Sequence, residues 1–261
     1  MTTGSATPQL TIVVPTRNEA ENVEPLLSRL SPNVESGTVV LFVDDSDDET
    51  PTVIQAARER GFGSLDTRLL HRPVGQRGGG LGGAVLAGLE QTDTPWVCVM
   101  DGDLQHPPEV VPRLLTAARA ANADLVVASR HIRGGGNEGL GPVRTAVSWA
   151  STVLAKATFP HRLRGIRDPM SGFFFFRREA LTETMTPRGF KILLEIAVRH
   201  PDLIRREVPF VFVERTMGTS KGTIREGFRY LRLLVEMRWS LWRGEPIRSH
   251  RSGEPETELV A

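Results

Sequence analysis

Short apolar runs alternate along the first half of the chain with longer stretches in which apolar residues recur every three or four positions. The stretches with helical spacing predict helices at Ala20–Leu30, Thr52–Arg60, Leu81–Gln91 and Pro108–Ala121. The apolar runs lack clean alternation, which is typical of strands covered on both faces. They predict strands at Leu10–Val14, Thr38–Val43, Thr67–His71, Pro95–Met100 and Asp124–Ser129. Strands that alternate with helices predict βαβ units and a parallel sheet with right-handed crossovers.

The pattern changes after about residue 135, where a glycine-rich stretch, RGGGNEGLG, predicts a flexible loop at Arg133–Gly141. The residues that follow predict helices at Pro142–Thr158, Gly189–His200 and Ile224–Arg243, with extended segments at Gly172–Phe176 and Leu203–Glu214. We therefore expect an α/β protein with one domain over residues 9–222, made of a first half (9–135) and a second half (136–222). Outside it we expect a loose tail at 1–8, an amphipathic helix at 223–243 and a polar, disordered tail at 244–261.

Composition narrows the class of protein. The 261 residues are 39% hydrophobic and 24% charged, with a net charge of +1, as in ordinary soluble globular proteins. The charge gives no bulk attraction to nucleic acid. The single cysteine, Cys98, excludes an intrachain disulfide and a cysteine-rich metal site, and it fits a reducing compartment. Neither a signal peptide nor an apolar run long enough for a membrane span is predicted, so we expect a cytoplasmic location.

Three polar clusters follow three of the predicted strands. Pro15–Glu19 (PTRNE) follows the first strand, Asp44–Ser46 (DDS) the second and Asp101–Gln105 (DGDLQ) the fourth. In an open parallel sheet, ligands bind in the crevice at the carboxyl ends of the strands. We expect the three clusters to converge on one site at that edge.

The pair Asp101 and Asp103 carries the clearest chemistry. In an extended segment, residues two apart project to the same side, and adjacent carboxylates repel unless a cation lies between them. Oxygen ligands of this kind suit Mg²⁺ or Mn²⁺, and Gly102 permits close backbone approach. A turn followed by a helix cap is the alternative. The two other clusters in phase with this one favour the metal site.

Other features allow two interpretations each. Asp44–Ser46 either caps the next helix or accepts hydrogen bonds from a nucleobase or ribose. Gly78–Gly83 either binds phosphate with backbone N–H groups or forms a flexible loop. For His106, beside two prolines, we expect a surface position.

Seven motifs occur in order over roughly residues 10–222: PTRNEAEN, VDDSDDET, GLGGAVLAGL, DGDLQHPPE, ASR, DPMSGFF and ERTMGTSKG. Together they resemble the polyprenyl-phosphate sugar synthases, among them the dolichol-phosphate mannose synthases, which are inverting glycosyltransferases with a GT-A fold. The resemblance implies a single GT-A domain with a Rossmann-like, mostly parallel sheet. It also implies a nucleotide-sugar donor, usually GDP-mannose, a polyprenyl phosphate acceptor and a divalent cation, Mg²⁺ or Mn²⁺.

The resemblance further implies roles for individual residues. Pro15, Arg17 and Glu19 would line the nucleotide pocket, with Val43 and Asp45 near the base, and Asp101, Gly102, Asp103 and Gln105 would form the metal and diphosphate site. Arg130 would face the phosphates, Arg144 would bind the acceptor phosphate, and Arg215 and Lys221 would close a loop over the donor. Of these, Asp103, Arg130 and Lys221 are the candidate catalytic residues. Arg17 stands where many relatives carry tyrosine, which leaves the nucleotide preference open.

The acceptor chemistry explains why no general base stands out. A phosphate monoester, with a second pKa of about 6, is already ionised and nucleophilic at neutral pH. The lipid tail of the acceptor would stay in the bilayer, so we expect peripheral contact with the inner face of the membrane through the helices Pro142–Thr158 and Ile224–Arg243. The second of these helices combines arginines with aromatic residues that favour the headgroup zone: Phe228, Tyr230, Trp239 and Trp242. In the alternative interpretation, these helices pack on the protein's own core or form a homodimer contact. Transfer of glucose from UDP-glucose, a nucleotidyltransferase and a non-catalytic nucleotide-sugar-binding protein are the rival functions.

Overall fold

The computed structural model describes residues 9–139, 141–181, 191–214 and 224–243. The first half of the chain alternates strands and helices as the apolar pattern predicts, with every boundary within three residues of its prediction. Its elements are β1 Leu10–Thr16, α1 Ala20–Leu30, β2 Val39–Asp44, α2 Thr50–Arg60, β3 Asp66–His71, α3 Gly80–Glu90, β4 Trp96–Val99, α4 Val111–Ala121 and β5 Leu125–Ser129.

The second half has more strands than the sequence predicted. The supposed flexible loop contains a short strand, and the extended segment at Leu203–Glu214 divides into two. The elements are β6 Gly136–Asn137, α5 Pro142–Thr158, β7 Phe174–Arg177, α6 Ile192–Arg199, β8 Arg205–Pro209, β9 Val211–Phe212 and α7 Ile224–Arg243.

Seven strands form one sheet in the order β3-β2-β1-β4-β7-β5-β8, and β6 pairs with β9 in a second sheet of two strands. All neighbours in the large sheet are parallel except β7, which runs antiparallel to both β4 and β5. The expectation of a mostly parallel sheet is therefore confirmed. The antiparallel β7 separates the first four strands from β5 and β8.

Apolar side chains cover both faces of this sheet. In the aromatic strand, Phe173 and Phe175 enter one core with α1, α2 and α4, whereas Phe174 and Phe176 enter the other with α3, α5, α6 and α7. Burial on both faces explains why the strands are continuous apolar runs. Helix α3 lies very close to the sheet, because a Cβ at Gly88 would come within 2.6 Å of Val13.

Candidate active site

The three polar clusters do converge, because β2, β1 and β4 are adjacent and parallel. Pro15 pairs with Val43 in the register of β1 and β2, and Thr16 pairs with Asp44. The chain leaving β2 stays attached to β1, since the Asp45 N–H donates to the Thr16 carbonyl at 2.9 Å. The carboxyl edge of the sheet thus carries all three motifs side by side.

Asp44 connects the ends of β1, β2 and β3 through its side-chain contacts. Its fully buried carboxylate accepts hydrogen bonds from the Thr16 hydroxyl at 2.8 Å and from the Ser46 hydroxyl, and it lies 2.8 Å from Nδ1 of His71 at the end of β3. A buried carboxylate needs such donors to offset its lost hydration. Asp44 therefore organises this edge, and its neighbour Asp45 takes a different position.

Asp45 forms a buried two-pronged ion pair with Arg72. The Nε and Nη2 atoms of Arg72 donate to the two carboxylate oxygens at 2.8 and 2.6 Å, a geometry that only arginine provides. The sequence did not single out His71 or Arg72. A signal was available, since His71 ends β3 and Arg72 follows it at the same edge of the sheet as the three clusters.

Arginines also hold the glycine-rich segment before α3 in place. Arg72 donates to the carbonyls of Gly78 and Gly80, and Arg77 donates to the Ser46 carbonyl at 2.7 Å and to the Asp47 carboxylate at 2.6 Å. The segment is therefore anchored to the loop after β2. This arrangement favours a defined binding loop over the flexible alternative.

The remaining residues predicted for the nucleotide pocket lie around this anchor. Pro15 and Val43 are buried in β1 and β2, while the side chain of Arg17 is 61% exposed and lies 3.8 Å from Asp47. Glu19 precedes α1 and accepts a hydrogen bond from the Asn22 amide at 2.6 Å. The exposed guanidinium of Arg17 is thus available at the rim of the edge.

The turn after β4 differs from the extended segment that the sequence suggested. The strand ends at Val99, and Gly102 and Asp103 already form a turn. The Asp101 side chain remains 37% exposed, whereas Asp103 is buried and accepts the Gln105 N–H at 3.1 Å. The Gln105 amide nitrogen donates to the Val213 carbonyl at 3.1 Å, which leaves the orientation of its side-chain oxygen fixed.

Two residues in these motifs adopt left-handed backbone angles, which asparagine tolerates but which are unusual for leucine. Asn18 in PTRNE has φ 56° and Leu104 in DGDLQ has φ 63°. The third positive-φ residue other than glycine in the described part of the chain, Asn122, is an ordinary helix cap after α4. Strained backbone persists where the surroundings enforce it, and it concentrates at functional sites. These two angles therefore mark the same edge as the polar clusters.

The expected surface position of His106 is wrong. The residue is only 2% exposed and packs among aromatic rings. The flanking prolines suggested an exposed turn, but they begin a short 3₁₀ turn at Pro108–Val110 that carries the histidine into the core.

Arg130 forms a buried ion pair with Asp168. Its Nε and Nη2 donate to the carboxylate at 2.7 and 2.8 Å, and its backbone N–H donates at 3.1 Å. Burial raises the pKa of Asp168, but the hydrogen bonds and charge of Arg130 outweigh that effect, so the pKa lies below its usual range. The pair holds the turn at 168–172 (DPMSG) against the end of β5. Asp168 belongs to the motif DPMSGFF, but the sequence alone did not identify Arg130 as its partner.

The turn at 168–172 also reaches the metal motif. A Cβ on Gly172 would lie 3.4 Å from a carboxylate oxygen of Asp101, so this turn lies directly against the Asp101 side chain. Lys191 donates to the Met170 carbonyl of the same turn at 3.3 Å. Arg144 is exposed in the first turn of α5, while Arg215 and Lys221 lie outside the described residues.

The donor set fits a hard divalent cation that completes its shell with ligand oxygens. Asp101 offers a partly exposed carboxylate, and Asp103 and Gln105 supply further oxygens in the same turn. Within the described ranges, no group of three or more His, Cys, Asp or Glu residues could hold a metal ion. A cation held by these residues would therefore complete its shell with oxygens of the bound ligand and water.

Comparison with known proteins assigns the chain to a family. The model of glycosyl transferase family 2 matches residues 11–184, and the chain belongs to that family. The dolichol-phosphate mannosyltransferase of Pyrococcus furiosus is 34% identical over 91% of this chain and 65% of its own length. This chain thus spans slightly under two thirds of that relative.

Two further comparisons agree. The dolichol-phosphate mannosyltransferase of Saccharomyces cerevisiae is 33% identical over 88% of this chain and 86% of its own length. The glucosyl-3-phosphoglycerate synthase of Mycobacterium tuberculosis, solved with Mn²⁺, uridine diphosphate and glucosyl-3-phosphoglycerate, superposes with a TM-score of 0.64 at 20% identity, covering 92% of this chain and 81% of that one. The predicted GT-A fold is confirmed.

Proposed function

We propose that this protein transfers a hexosyl group, mannose from GDP-mannose in the first instance, to polyprenyl phosphate with inversion at the anomeric carbon. The observation that carries the proposal is the turn at Asp101–Gln105, which joins the motifs of β1 and β2 at one edge of the sheet. The identity to polyprenyl-phosphate mannosyltransferases over most of the chain supports it.

Asp101, Asp103 and Gln105 would hold Mg²⁺ or Mn²⁺ at this edge. Such a cation neutralises the charge that develops on a departing diphosphate. The protein's own contribution is orientation, since Gln105 is tied to Val213 and Asp103 to the backbone of the turn. Gly102 supports this packing, because a Cβ there would approach the Thr16 side chain to 3.0 Å.

The nucleotide would lie over β1 and β2. Here Pro15, Val43 and Glu19 shape the pocket, Arg17 covers its rim, and Asp45 reads the base together with Arg72. Arg72 already binds both oxygens of Asp45, so a base would use the remaining lone pairs of the carboxylate and the remaining N–H groups of the guanidinium. That combination is complementary to a base edge carrying both kinds of group.

The acceptor needs no protein base, since an ionised phosphate attacks directly. Arg144 is proposed to bind the acceptor phosphate and Lys221 and Arg215 the donor phosphates. Arg130 has two of its nitrogens on Asp168, so we propose that it acts mainly by holding the 168–172 turn and contributes its positive charge from there.

Peripheral membrane contact on the cytoplasmic side is part of the same proposal. Helices α5 and α7 pack together, with the Tyr230 hydroxyl donating to the Ser151 carbonyl at 2.7 Å. No described helix is long and apolar enough to cross a membrane. Both helices nevertheless expose large apolar side chains: Val143, Val147, Trp149, Val153, Leu154, Leu231, Val235, Trp239 and Trp242. Apolar groups of this kind beside arginines suit the headgroup zone.

The test is a transfer assay with the purified full chain. Labelled GDP-mannose, UDP-glucose and other nucleotide sugars are offered with polyprenyl phosphate in detergent and Mn²⁺ or Mg²⁺, and label in the organic phase is counted. We expect transfer from GDP-mannose that EDTA abolishes. Polyprenyl alcohol is the matched control acceptor and should receive no label, because it lacks the ionised phosphate.

The outcomes separate the rival functions. Transfer from UDP-glucose alone would replace the sugar and keep the acceptor. Nucleotide-sugar binding without transfer to any acceptor would overturn the catalytic proposal and favour a binding protein.

A further inference from the structure

His106 has a place in the site that the proposed roles do not account for. Its ring stacks on Phe173 with 5.1 Å between centroids and meets the edges of Phe210 and Phe212 at 5.7 and 5.6 Å. We call His106 and these three phenylalanines the aromatic box. An imidazole that served packing alone could be replaced by another apolar ring.

The polar edge of the ring faces the first carboxylate of the metal motif. The Met100 N–H makes the last bond to β1, donating to the Val13 carbonyl. The next N–H, that of Asp101, has left the sheet and donates to Nδ1 of His106 at 3.0 Å. The geometry makes Nδ1 the acceptor of the Asp101 N–H. His106 therefore accepts the first backbone N–H after the last hydrogen bond between this segment and β1.

The box also joins the other segments of the site. Phe173 follows Gly172, where an added Cβ would lie 3.2 Å from the His106 ring. Phe212 precedes Val213, whose carbonyl accepts the Gln105 amide and whose N–H donates to the Gln105 carbonyl. The ring therefore contacts the backbone of one candidate ligand and the strand that orients another.

We propose that His106 is a positioning residue for the cation site: its Nδ1 fixes the main chain at Asp101, and its ring holds the β9 segment that orients Gln105. The proposal rests on the proposed metal-dependent function. It assigns His106 itself a role in cation affinity beyond stability.

Matched variants separate the hydrogen bond from the packing. His106→Phe keeps an aromatic ring and removes the acceptor for the Asp101 N–H. His106→Asn keeps an oxygen acceptor near the Nδ1 position and removes the ring. Phe210→Leu removes one ring from the box but leaves both His106 and its hydrogen bond with Asp101, and it is the control for stability alone. Should His106→Phe fail to fold, His106→Gln, with its acceptor displaced toward Nε2, replaces it.

The main measurement is Mn²⁺ affinity by electron paramagnetic resonance, in the presence of GDP or UDP, with melting temperatures recorded alongside. We expect His106→Phe to weaken Mn²⁺ binding by about 10- to 100-fold, the usual effect of losing a group that orients a ligand. His106→Asn keeps the acceptor but loses the ring, so it should lose less affinity than His106→Phe although it melts earlier. Phe210→Leu should melt earlier with Mn²⁺ affinity near that of the wild type.

Other results overturn the proposal. Wild-type affinity in His106→Phe would show that the acceptor does not position the site. Losses that follow the melting temperature across all variants, Phe210→Leu included, would reduce His106 to a core residue. A wild type that binds no Mn²⁺ would overturn this proposal together with the metal assignment. If the wild type binds Mn²⁺ but transfers no sugar, only the proposed function fails, and the variants still decide the role of His106.

Discussion

The helices of the first half of the chain bury their apolar faces, whereas two helices of the second half leave theirs exposed. Helix α4 has eleven residues and buries an unbroken stripe: Val111, Leu114, Leu115 and Ala118. Helix α5 has 17 residues and buries only Thr152 and Ala155. Val143 and Trp149 in α5 are 74% and 64% exposed.

Helix α7 shows the same contrast within one element. One stripe is buried against α5 and the core: Tyr230, Leu233, Leu234 and Met237. A second stripe points outward and is at least 47% exposed: Leu231, Val235, Trp239 and Trp242. The buried position of Tyr230 corrects the sequence expectation that grouped it with the exposed aromatics. Since one stripe suffices to anchor the helix, the second is left for another surface.

This difference in burial indicates that the two halves of the chain have different roles. The first half buries its helices against cores that the phenylalanines of the second half complete, and it carries the proposed nucleotide and metal motifs at the edge of the sheet. The second half supplies the turn at 168–172 and an apolar face formed by α5 and α7. A change in one half should therefore affect sugar transfer or membrane contact without affecting the other. Asp103→Ala and a double variant in α5 and α7 test this separation, and Asp168→Asn tests the ion pair that joins the two halves.

Asp103→Ala should produce the largest effect, because it removes a buried carboxylate that we propose as a metal ligand. We expect the rate of transfer to fall by roughly 10³-fold or more, since a bound cation contributes several kcal/mol of charge stabilisation. Binding to lipid vesicles should not change. Asp93→Ala, at an exposed position before β4, is the control and should transfer normally. Wild-type rates in Asp103→Ala would remove this residue from the site.

Asp168→Asn should have the next largest effect, on stability. It leaves the Arg130 guanidinium buried without its anionic partner, which costs about 3–5 kcal/mol of unfolding free energy when a buried pair is broken. Glu109→Gln breaks the Arg29–Glu109 pair, which has the same two-pronged geometry but is exposed, and should cost less than about 1 kcal/mol. Chemical denaturation of both variants at neutral pH measures the difference. Equal losses would contradict a structural role for the buried pair.

The pH dependence of the same pair has a definite sign. The pKa of Asp168 is lower in the folded protein than in the unfolded chain, so its contribution to stability is fully present above the unfolded value of about 3.9. It is lost as the pH falls through the folded pKa. In acid denaturation, the stability of Asp168→Asn should therefore fall less steeply below about pH 4 than that of the wild type.

The sequence predicted the parts of the molecule that depend on local pattern. The first five strands and the helices between them follow from apolar spacing, and α1, α5 and α7 have the predicted bounds. The convergence of the clusters followed from the rule that parallel strands share an edge. The antiparallel direction of β7 could not be inferred, because an aromatic run such as FFFF fits either direction when both faces are buried.

The missing parts of the site depend on partners distant in the chain. Arg72 is 27 residues from Asp45, and Asp168 is 38 residues from Arg130. Nothing local distinguishes such arginines from solvated ones. The burial of His106 likewise depends on Phe173 and Phe210, which reach it only through the order of the strands. Pairings of this kind require the fold, so the sequence alone could name candidates but not connect them.

The smallest effect concerns the apolar face of α5 and α7. The double variant Val147→Ser and Trp239→Ser removes two side chains that are 61% and 54% exposed, so folding should be little affected. If this face contacts a bilayer, we expect vesicle binding to weaken by about tenfold, since each side chain loses only part of the roughly 1.5–3 kcal/mol available from full burial. Co-sedimentation with vesicles that contain anionic lipid measures this binding.

Val74→Ser, which removes a 79% exposed side chain from the loop after β3, is the control and should bind as the wild type does. Transfer to a short-chain, detergent-free acceptor should also be unchanged in the double variant, because the nucleotide edge is intact. A double variant that binds vesicles normally but changes from dimer to monomer in solution would show instead that this face joins two copies of the chain.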